Sequence, residues 1–175
     1  MRIKTLLGLT VVGILCLSCQ SNVYQINGFA CDFNDGDTIC LHHEADENGS
    51  VFITQVIDGK FSFGGEVDAC TLCHIYTKKN PGSAVYFFLE PGQITVELSL
   101  APERSRVSGT AINNTWQQLN DSIHLLGKEV VRTSILPMAD STTQVQRAKT
   151  IDSLHHRMSD CILNTARCNS DNPIG

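Results

Sequence analysis

The stretch Tyr24–Leu41, YQINGFACDFNDGDTICL, predicts a β-hairpin that folds about Asp35-Gly36. An Asp-Gly pair supplies the two positive-φ residues that a tight type I′ turn requires. This two-residue loop places Cys31 directly opposite Cys40 as a non-hydrogen-bonded pair. Such partners have Cα atoms about 4.5 Å apart, which is within the reach of a disulfide. We therefore predict a structural disulfide between Cys31 and Cys40 on the more polar face of the hairpin.

Alternating apolar and polar residues continue outward from this stretch to about residue 108, and turn signals recur at short intervals. Asp58-Gly59 is predicted to close a second hairpin, and Pro91-Gly92 a third one that pairs Leu89 with Ile94. Eight short strands without an intervening helix favour an antiparallel sandwich or open barrel over residues 24–110, and we predict the β-sandwich. The predicted strands lie near 24–33, 38–44, 51–57, 60–67, 70–77, 84–90, 93–100 and 105–108.

From residue 111 the apolar residues recur with a helical period, which predicts an α-helical hairpin over 111–170. Asn113-Asn114-Thr115 offers N-cap chemistry for the first helix. Pro137 ends this helix, and a second one restarts near residue 141. The apolar stripe of the hairpin needs a partner, either the sandwich or another chain. We interpret residues 171–175 as a truncated linker. The predicted fold class is therefore mostly β with a C-terminal α-hairpin.

The N-terminus has the pattern of an exported lipoprotein. Arg2 and Lys4 precede an apolar run over 6–17, which is too short to span a bilayer and is typical of a signal peptide over 1–18. The run ends in Leu-Ser-Cys, which resembles the lipobox of bacterial lipoproteins and makes Cys19 the lipidated residue. Residues 19–23 then form the tether. A plain secretory signal that is cut near Ser18 is the alternative.

Composition narrows the classes of partner. The chain has 13 Lys and Arg against 18 Asp and Glu and no basic run, which argues against nucleic acid as a partner. Membrane attachment would come from the acyl chains of the lipid anchor. We expect the chain to face the periplasm of a bacterium, held on the outer membrane, and its cysteines to meet an oxidising compartment.

Cys70 and Cys73 form a CxxC motif, the spacing of thiol-disulfide oxidoreductases. That chemistry needs a helix N-terminus to lower the pKa of the first thiol, whereas the residues that follow are β-prone. Unpaired strand cysteines, or structural pairings, fit the pattern better.

Zinc is the other possibility, with Cys70, Cys73, His74 and one of His42 and His43 as ligands. We expect solvated histidines and no cofactor. Cys161 and Cys168, two turns apart on one helix face, are expected to be small core residues, unless Cys168 lies in a frayed helix end and reaches elsewhere.

Several segments resemble the N-terminal β domain of unknown function in exported bacterial thioredoxin-like proteins of the alkyl hydroperoxide reductase/thiol-specific antioxidant class. They are INGFACDFNDGDTICL, VIDGKFSFGGEV, YFFLEPGQITVEL and VSGTAINNTW. The final Asn172-Pro173-Ile174-Gly175 is similar to the element that precedes the catalytic domain in that family. The resemblance implies an accessory module next to a thioredoxin-like redox activity, and this chain stops where the redox domain would begin. No catalytic residue can be carried over.

Three functions remain open from the sequence. The first is a membrane-anchored, non-catalytic docking or dimerisation module, with a homodimer formed through the α-hairpin or a thioredoxin-like domain as the partner. The second is a thiol-disulfide oxidoreductase, acting through Cys70 and Cys73 or through a missing C-terminal domain. The third is a ligand-binding sandwich that uses the outer face of a sheet. The first reading is preferred, so we do not expect the chain as it stands to be an enzyme.

Overall fold

The computed structural model describes residues 22–44, 51–137 and 140–175. The predicted signal peptide, Cys19 and the turn at Asn48-Gly49 lie outside these residues. The described chain forms eight β-strands in two sheets, followed by two helices. The predicted fold class, mostly β with a C-terminal α-hairpin, is therefore confirmed.

All eight predicted strands are present. Their bounds are β1 Val23–Phe29, β2 Thr38–His43, β3 Val51–Gln55, β4 Lys60–Glu66, β5 Thr71–Thr77, β6 Asn80–Leu89, β7 Gly92–Glu97 and β8 Arg106–Ser108. A short 3₁₀ turn, Pro102–Arg104, lies between β7 and β8.

The strands divide into two four-stranded sheets. The first sheet has the order β4-β1-β7-β8 and the second has the order β3-β2-β5-β6. The second sheet is antiparallel throughout. In the first sheet β1 pairs with β7 in parallel, which the antiparallel prediction did not include.

The core lies between the two sheets and is built by alternation along each strand. Ile26 on β1 and Leu41 on β2 are fully buried. Gly28 admits the ring of Phe61, because a Cβ atom on Gly28 would lie 2.1 Å from the Phe61 ring. The other buried apolar residues of this cluster include Tyr24, Ile39, Phe63, Cys73, Ile75, Phe87, Leu89, Ile94, Val96, Leu98 and Val107.

The predicted hairpin about Asp35-Gly36 is wrong. A turn does form there, since the Asp37 N–H donates to the Asn34 carbonyl at 3.0 Å. Only Gly36 has a positive φ, of 85°, as in a type II turn, and turns of this kind splay the flanking strands where type I′ pairs them. Strand β1 therefore remains in the first sheet while β2 enters the second.

The predicted hairpin at Pro91-Gly92 is also wrong, because the two strands that it joins lie in different sheets. Strand β6 belongs to the second sheet and β7 to the first, so Leu89 does not pair with Ile94. The hairpin in this region instead joins β5 to β6. Pro81 is tolerated near the start of β6 because β6 is an edge strand.

The turn at Asp58-Gly59 has the predicted form. Both residues have positive φ, 50° and 68°, as a type I′ turn requires. Ile57 and Lys60 exchange two backbone hydrogen bonds of 2.9 and 3.0 Å. The second hairpin that was predicted at this turn is nevertheless wrong, because β3 and β4 enter different sheets and only Ile57 and Lys60 pair.

Two helices complete the described chain, α1 Ala111–Ser134 and α2 Ser141–Cys168. The N-cap of α1 is Thr110 rather than the predicted Asn113-Asn114-Thr115 segment, and Asn113 is buried. Asp140 caps α2 by accepting a hydrogen bond from the Thr143 N–H at 2.7 Å. Helix α1 packs on β8, β6 and α2. Neither described helix has a stretch long and apolar enough to cross a membrane.

Candidate functional site

Two histidines and a tyrosine lie in one row across the outer face of the second sheet. The register pairs His42 on β2 with His74 on β5, and His74 with Tyr86 on β6. Successive side chains on a strand point to opposite faces, and the neighbours Leu41 and Ile75 belong to the core. His42, His74 and Tyr86 therefore point away from the core, and we call them the outer row.

The rings of the outer row are in contact. The ring centroids of His42 and His74 are 5.0 Å apart, and those of His74 and Tyr86 are 5.1 Å apart. Tyr76, two residues along β5, stacks with His74, and their ring centroids are 5.3 Å apart. The side chain of His74 is consequently only 18% exposed although it lies on an outer face.

Glu44 adds a carboxylate to this row. It follows the last residue of β2, and its N–H donates to the Leu72 carbonyl at 3.0 Å, which fixes its backbone against β5. Its Oε1 lies 2.5 Å from Nδ1 of His74. His42, Glu44 and His74 each offer one ligand atom, and these three atoms lie within 4.8 Å of one another.

His42 has an unsatisfied nitrogen. Its Nδ1 is buried and makes no hydrogen bond within the part of the chain that the structure describes. A buried polar atom without a partner costs free energy, and such atoms in native structures commonly mark an unseen water or ion. We therefore regard His42, Glu44 and His74 as the candidate site.

The first helix closes one side of this outer face. Nε1 of Trp116 donates to the Tyr86 carbonyl at 2.8 Å, and the Trp116 ring meets Phe88 edge-on with centroids 5.5 Å apart. Asn113 binds the backbone of Phe88 at both its N–H and its carbonyl. These bonds cover the exposed edge of β6, which would otherwise present unpaired backbone groups.

The predicted disulfide between Cys31 and Cys40 is not formed. The structure has both as free thiols, with Cys31 exposed in the turn after β1 and Cys40 buried on β2. The reason is the division of the sheets, since Cys40 lies opposite Tyr76 on β5 and Ile53 on β3 rather than opposite Cys31.

Cys70 and Cys73 do not have the environment of a redox-active pair. Cys73 is fully buried on the core face of β5, and Cys70 precedes that strand. Burial, with the nearby Glu90 carboxylate, raises the pKa of Cys70 to about 11. Burial raises the pKa of Cys73 to about 12, with smaller contributions from Cys70 and Glu44. A nucleophilic thiol requires the opposite shift.

Of the predicted zinc ligands, the structure brings only the two histidines His42 and His74 together. Cys70 and Cys73 do not belong to the group of close ligand atoms, but His74 and His42 do. His43 is on the opposite face of β2 and its ring lies 5.5 Å from that of Phe52. The expectation that Cys161 and Cys168 are core residues is wrong, because Cys161 on α2 is only half-buried and Cys168 is exposed.

Sequence reasoning missed Glu44, Tyr76 and Tyr86. A weak signal was present, because His42, Glu44, His74 and Tyr76 share one alternation on their strands. The missing information was that β2 pairs with β5, which brings residues 30 positions apart into contact.

Comparison with known proteins gives a family but no activity. A family model described as Domain of unknown function (DUF4369) matches residues 24–116. The match takes in the outer row, Glu44 and the start of α1, and it covers more than half of the chain. No curated protein matches the chain. This chain is thus a member of the family described as Domain of unknown function (DUF4369).

Proposed function

We propose that this protein is a non-catalytic docking module that forms homodimers through its helical hairpin. The observation that carries this proposal is the exposure of α2. Of its 28 residues only Leu154 is buried, whereas Ile162 and Leu163 are 50% and 49% exposed. Large apolar side chains on adjacent positions of a long helix are typical of an interaction surface.

Helix α1 also exposes large apolar side chains. Its first turns are fastened to the sandwich through Asn113 and Trp116. Further along, Leu125 and Val131 are 70% and 62% exposed. Two helices alone cannot bury apolar residues on more than one side, and a second hairpin supplies the missing side by forming a four-helix arrangement.

A second copy suits this surface electrostatically. Each helix carries both signs of charge, such as Glu129 and Arg132 on α1, which are paired at 2.5 Å, and Asp152 and Arg157 on α2. Mixed charges allow two identical surfaces to meet without like-charge repulsion. The lipid anchor proposed at Cys19 would also confine copies to one membrane plane, which raises their effective concentration.

The raised thiol pKa values support a non-catalytic role. The enzyme alternative needs a thiolate at neutral pH, but burial favours the neutral form of Cys70 and Cys73. The family resemblance suggests a thioredoxin-like redox domain as the other partner. Crosslinking from Leu163 distinguishes that partner from a second copy of this chain.

Sedimentation of the full mature protein in mild detergent tests the proposal. We expect a dimer for the wild type and a dissociation constant raised at least about tenfold by Leu163→Asp, because loss of an interface hot spot costs about 2 kcal/mol or more. Ile57→Asp is the matched control, since Ile57 is 67% exposed but lies beside a sandwich turn. A wild-type monomer at all concentrations would contradict the proposal.

The proposed anchor requires a separate test. We propose that Cys19 is acylated and holds the protein on the periplasmic side of the bacterial outer membrane. Cys19→Ala should move the protein from the outer-membrane fraction to the soluble periplasmic fraction, and it should abolish labelling with radioactive palmitate. An unlabelled wild-type protein would disprove the anchor.

A further inference from the structure

We propose that His42, Glu44 and His74 form a binding site for a divalent transition-metal ion, for which zinc is the best fit. His42 and His74 lie on the neighbouring strands β2 and β5, Glu44 directly follows β2, and the three ligand atoms lie within 4.8 Å of one another. This site is separate from the docking surface on the helices, so the proposal does not depend on the dimer.

The donor set selects the class of metal. Two imidazole nitrogens and one carboxylate oxygen are ligands that zinc, copper and nickel accept. Calcium and magnesium prefer oxygen ligands throughout. A site with three protein ligands leaves a fourth position for water, and Glu44, whose side chain is 39% exposed, lies on the side open to solvent.

The sheet holds two of the ligands in place before any ion binds. His42 and His74 are direct cross-strand partners, and the backbone of Glu44 is tied to Leu72. Tetrahedral zinc with bonds of about 2.0–2.1 Å needs donor atoms about 3.4 Å apart. The three ligand atoms now lie within 4.8 Å of one another, with the Glu44 and His74 atoms 2.5 Å apart.

A simple ion pair does not account for the whole cluster. The contact between Glu44 and His74 at 2.5 Å satisfies those two residues. It leaves His42, whose ring is 5.0 Å from that of His74 and whose Nδ1 is buried without a partner among the described residues. An ion shared by the three side chains would bring His42 into the same polar network.

Calorimetric titration of the EDTA-treated full mature protein with ZnCl₂ tests the site. We expect one equivalent of zinc per chain in the wild type. His42→Gln and His74→Gln should each weaken zinc binding by about 10–100-fold or more. Substitution of residues that only hydrogen-bond to a metal ligand already has effects of that size. His155→Gln, which removes an exposed histidine on α2, is the matched control and should bind like the wild type.

The wild type alone provides a second readout, so the test does not depend on the folding of the variants. Titration with Co²⁺ should give the visible bands of nitrogen and oxygen coordination, and zinc should shift the imidazole resonances of His42 and His74 in NMR spectra. Cysteine coordination would instead produce thiolate charge-transfer bands and would overturn the proposal. Failure to saturate at millimolar zinc, or equal affinity in all the variants, would overturn it as well.

Discussion

The side-chain amide of Asn113 binds the backbone of Phe88 at two points. Its Oδ1 accepts a hydrogen bond from the Phe88 N–H at 2.8 Å, and its Nδ2 donates to the Phe88 carbonyl at 2.7 Å. Asn113 is fully buried. The amide thus takes the place of a neighbouring strand at the edge of β6, and it joins the helical hairpin to the sandwich.

Replacing this amide should destabilise the protein. Asn113→Ala leaves two buried backbone groups of Phe88 without partners, so we expect a loss of about 1–3 kcal/mol in the free energy of unfolding. Urea denaturation measures it. Asn120→Ala, at an exposed position of the same helix, should change the stability by less than about 0.5 kcal/mol. Equal effects of the two substitutions would show that the Asn113–Phe88 bonds are unimportant.

Two glycines should respond to alanine in opposite directions. Gly28→Ala would place a Cβ atom 2.1 Å from the Phe61 ring, and displacing a core aromatic should cost about 1–3 kcal/mol. Gly127 lies in α1 with open space around it, so Gly127→Ala should stabilise by about 0.5–1 kcal/mol through helix propensity. Thermal unfolding of both variants measures the difference. A neutral Gly28→Ala would contradict the packing described at Phe61.

Asp37 should make the stability depend on acidic pH. The hydrogen bond from Lys79 at 2.5 Å, followed by that from the Asn34 N–H, lowers the pKa of Asp37 below its usual value. A lowered folded-state pKa contributes stability above the unfolded value of about 3.9, and this stability is lost as the pH falls through the folded value. Asp37→Asn should therefore reduce stability at pH 7 and lose less between pH 5 and pH 2 than the wild type.

Lys79→Met tests the interaction between Asp37 and Lys79 from the side of the lysine. It removes the first cause of the shift, so it should raise the pKa of Asp37 and reproduce part of the effect of Asp37→Asn. Lys79 is 75% exposed, so added salt should weaken the coupling. Additive effects of the two substitutions in urea denaturation would show that Asp37 and Lys79 do not interact.

The cysteines should differ in reactivity according to burial. At pH 8 iodoacetamide should alkylate the exposed Cys31 and Cys168 first. Cys73 should be the slowest, because it is fully buried and burial raises its pKa to about 12. Mass spectrometry of timed samples follows each thiol. Rapid alkylation of Cys70 or Cys73 ahead of Cys31 would favour the oxidoreductase alternative.

Local patterns were sufficient to predict the elements of this fold. Alternation placed Ile26 and Leu41 on core faces, and both are fully buried. The helical period that begins at residue 111 likewise includes Leu126 and Leu154, the buried leucines of α1 and α2. These features depend on a few neighbouring residues, which is the range over which a sequence pattern is informative.

Pairing between distant strands was not predictable in the same way. Asp35-Gly36 and Asp58-Gly59 are the same dipeptide, yet only the second has the two positive-φ residues of a hairpin turn, and both turns join strands that lie in different sheets. Asn113 matched the chemistry of a helix cap, and only the packing of α1 on β6 gives it another role. The cluster of His42, Glu44 and His74 depends on the pairing of β2 with β5 in the same way.

Photocrosslinking in intact bacteria tests the central claim most directly. A photoreactive benzoylphenylalanine at Leu163, on the exposed side of α2, should give a product of twice the chain mass that contains only this protein. The same residue at Ile57 should give no such product. Crosslinks from Leu163 solely to a different protein, a thioredoxin-like one included, or no crosslink at all, would contradict a homodimer formed through the helical hairpin.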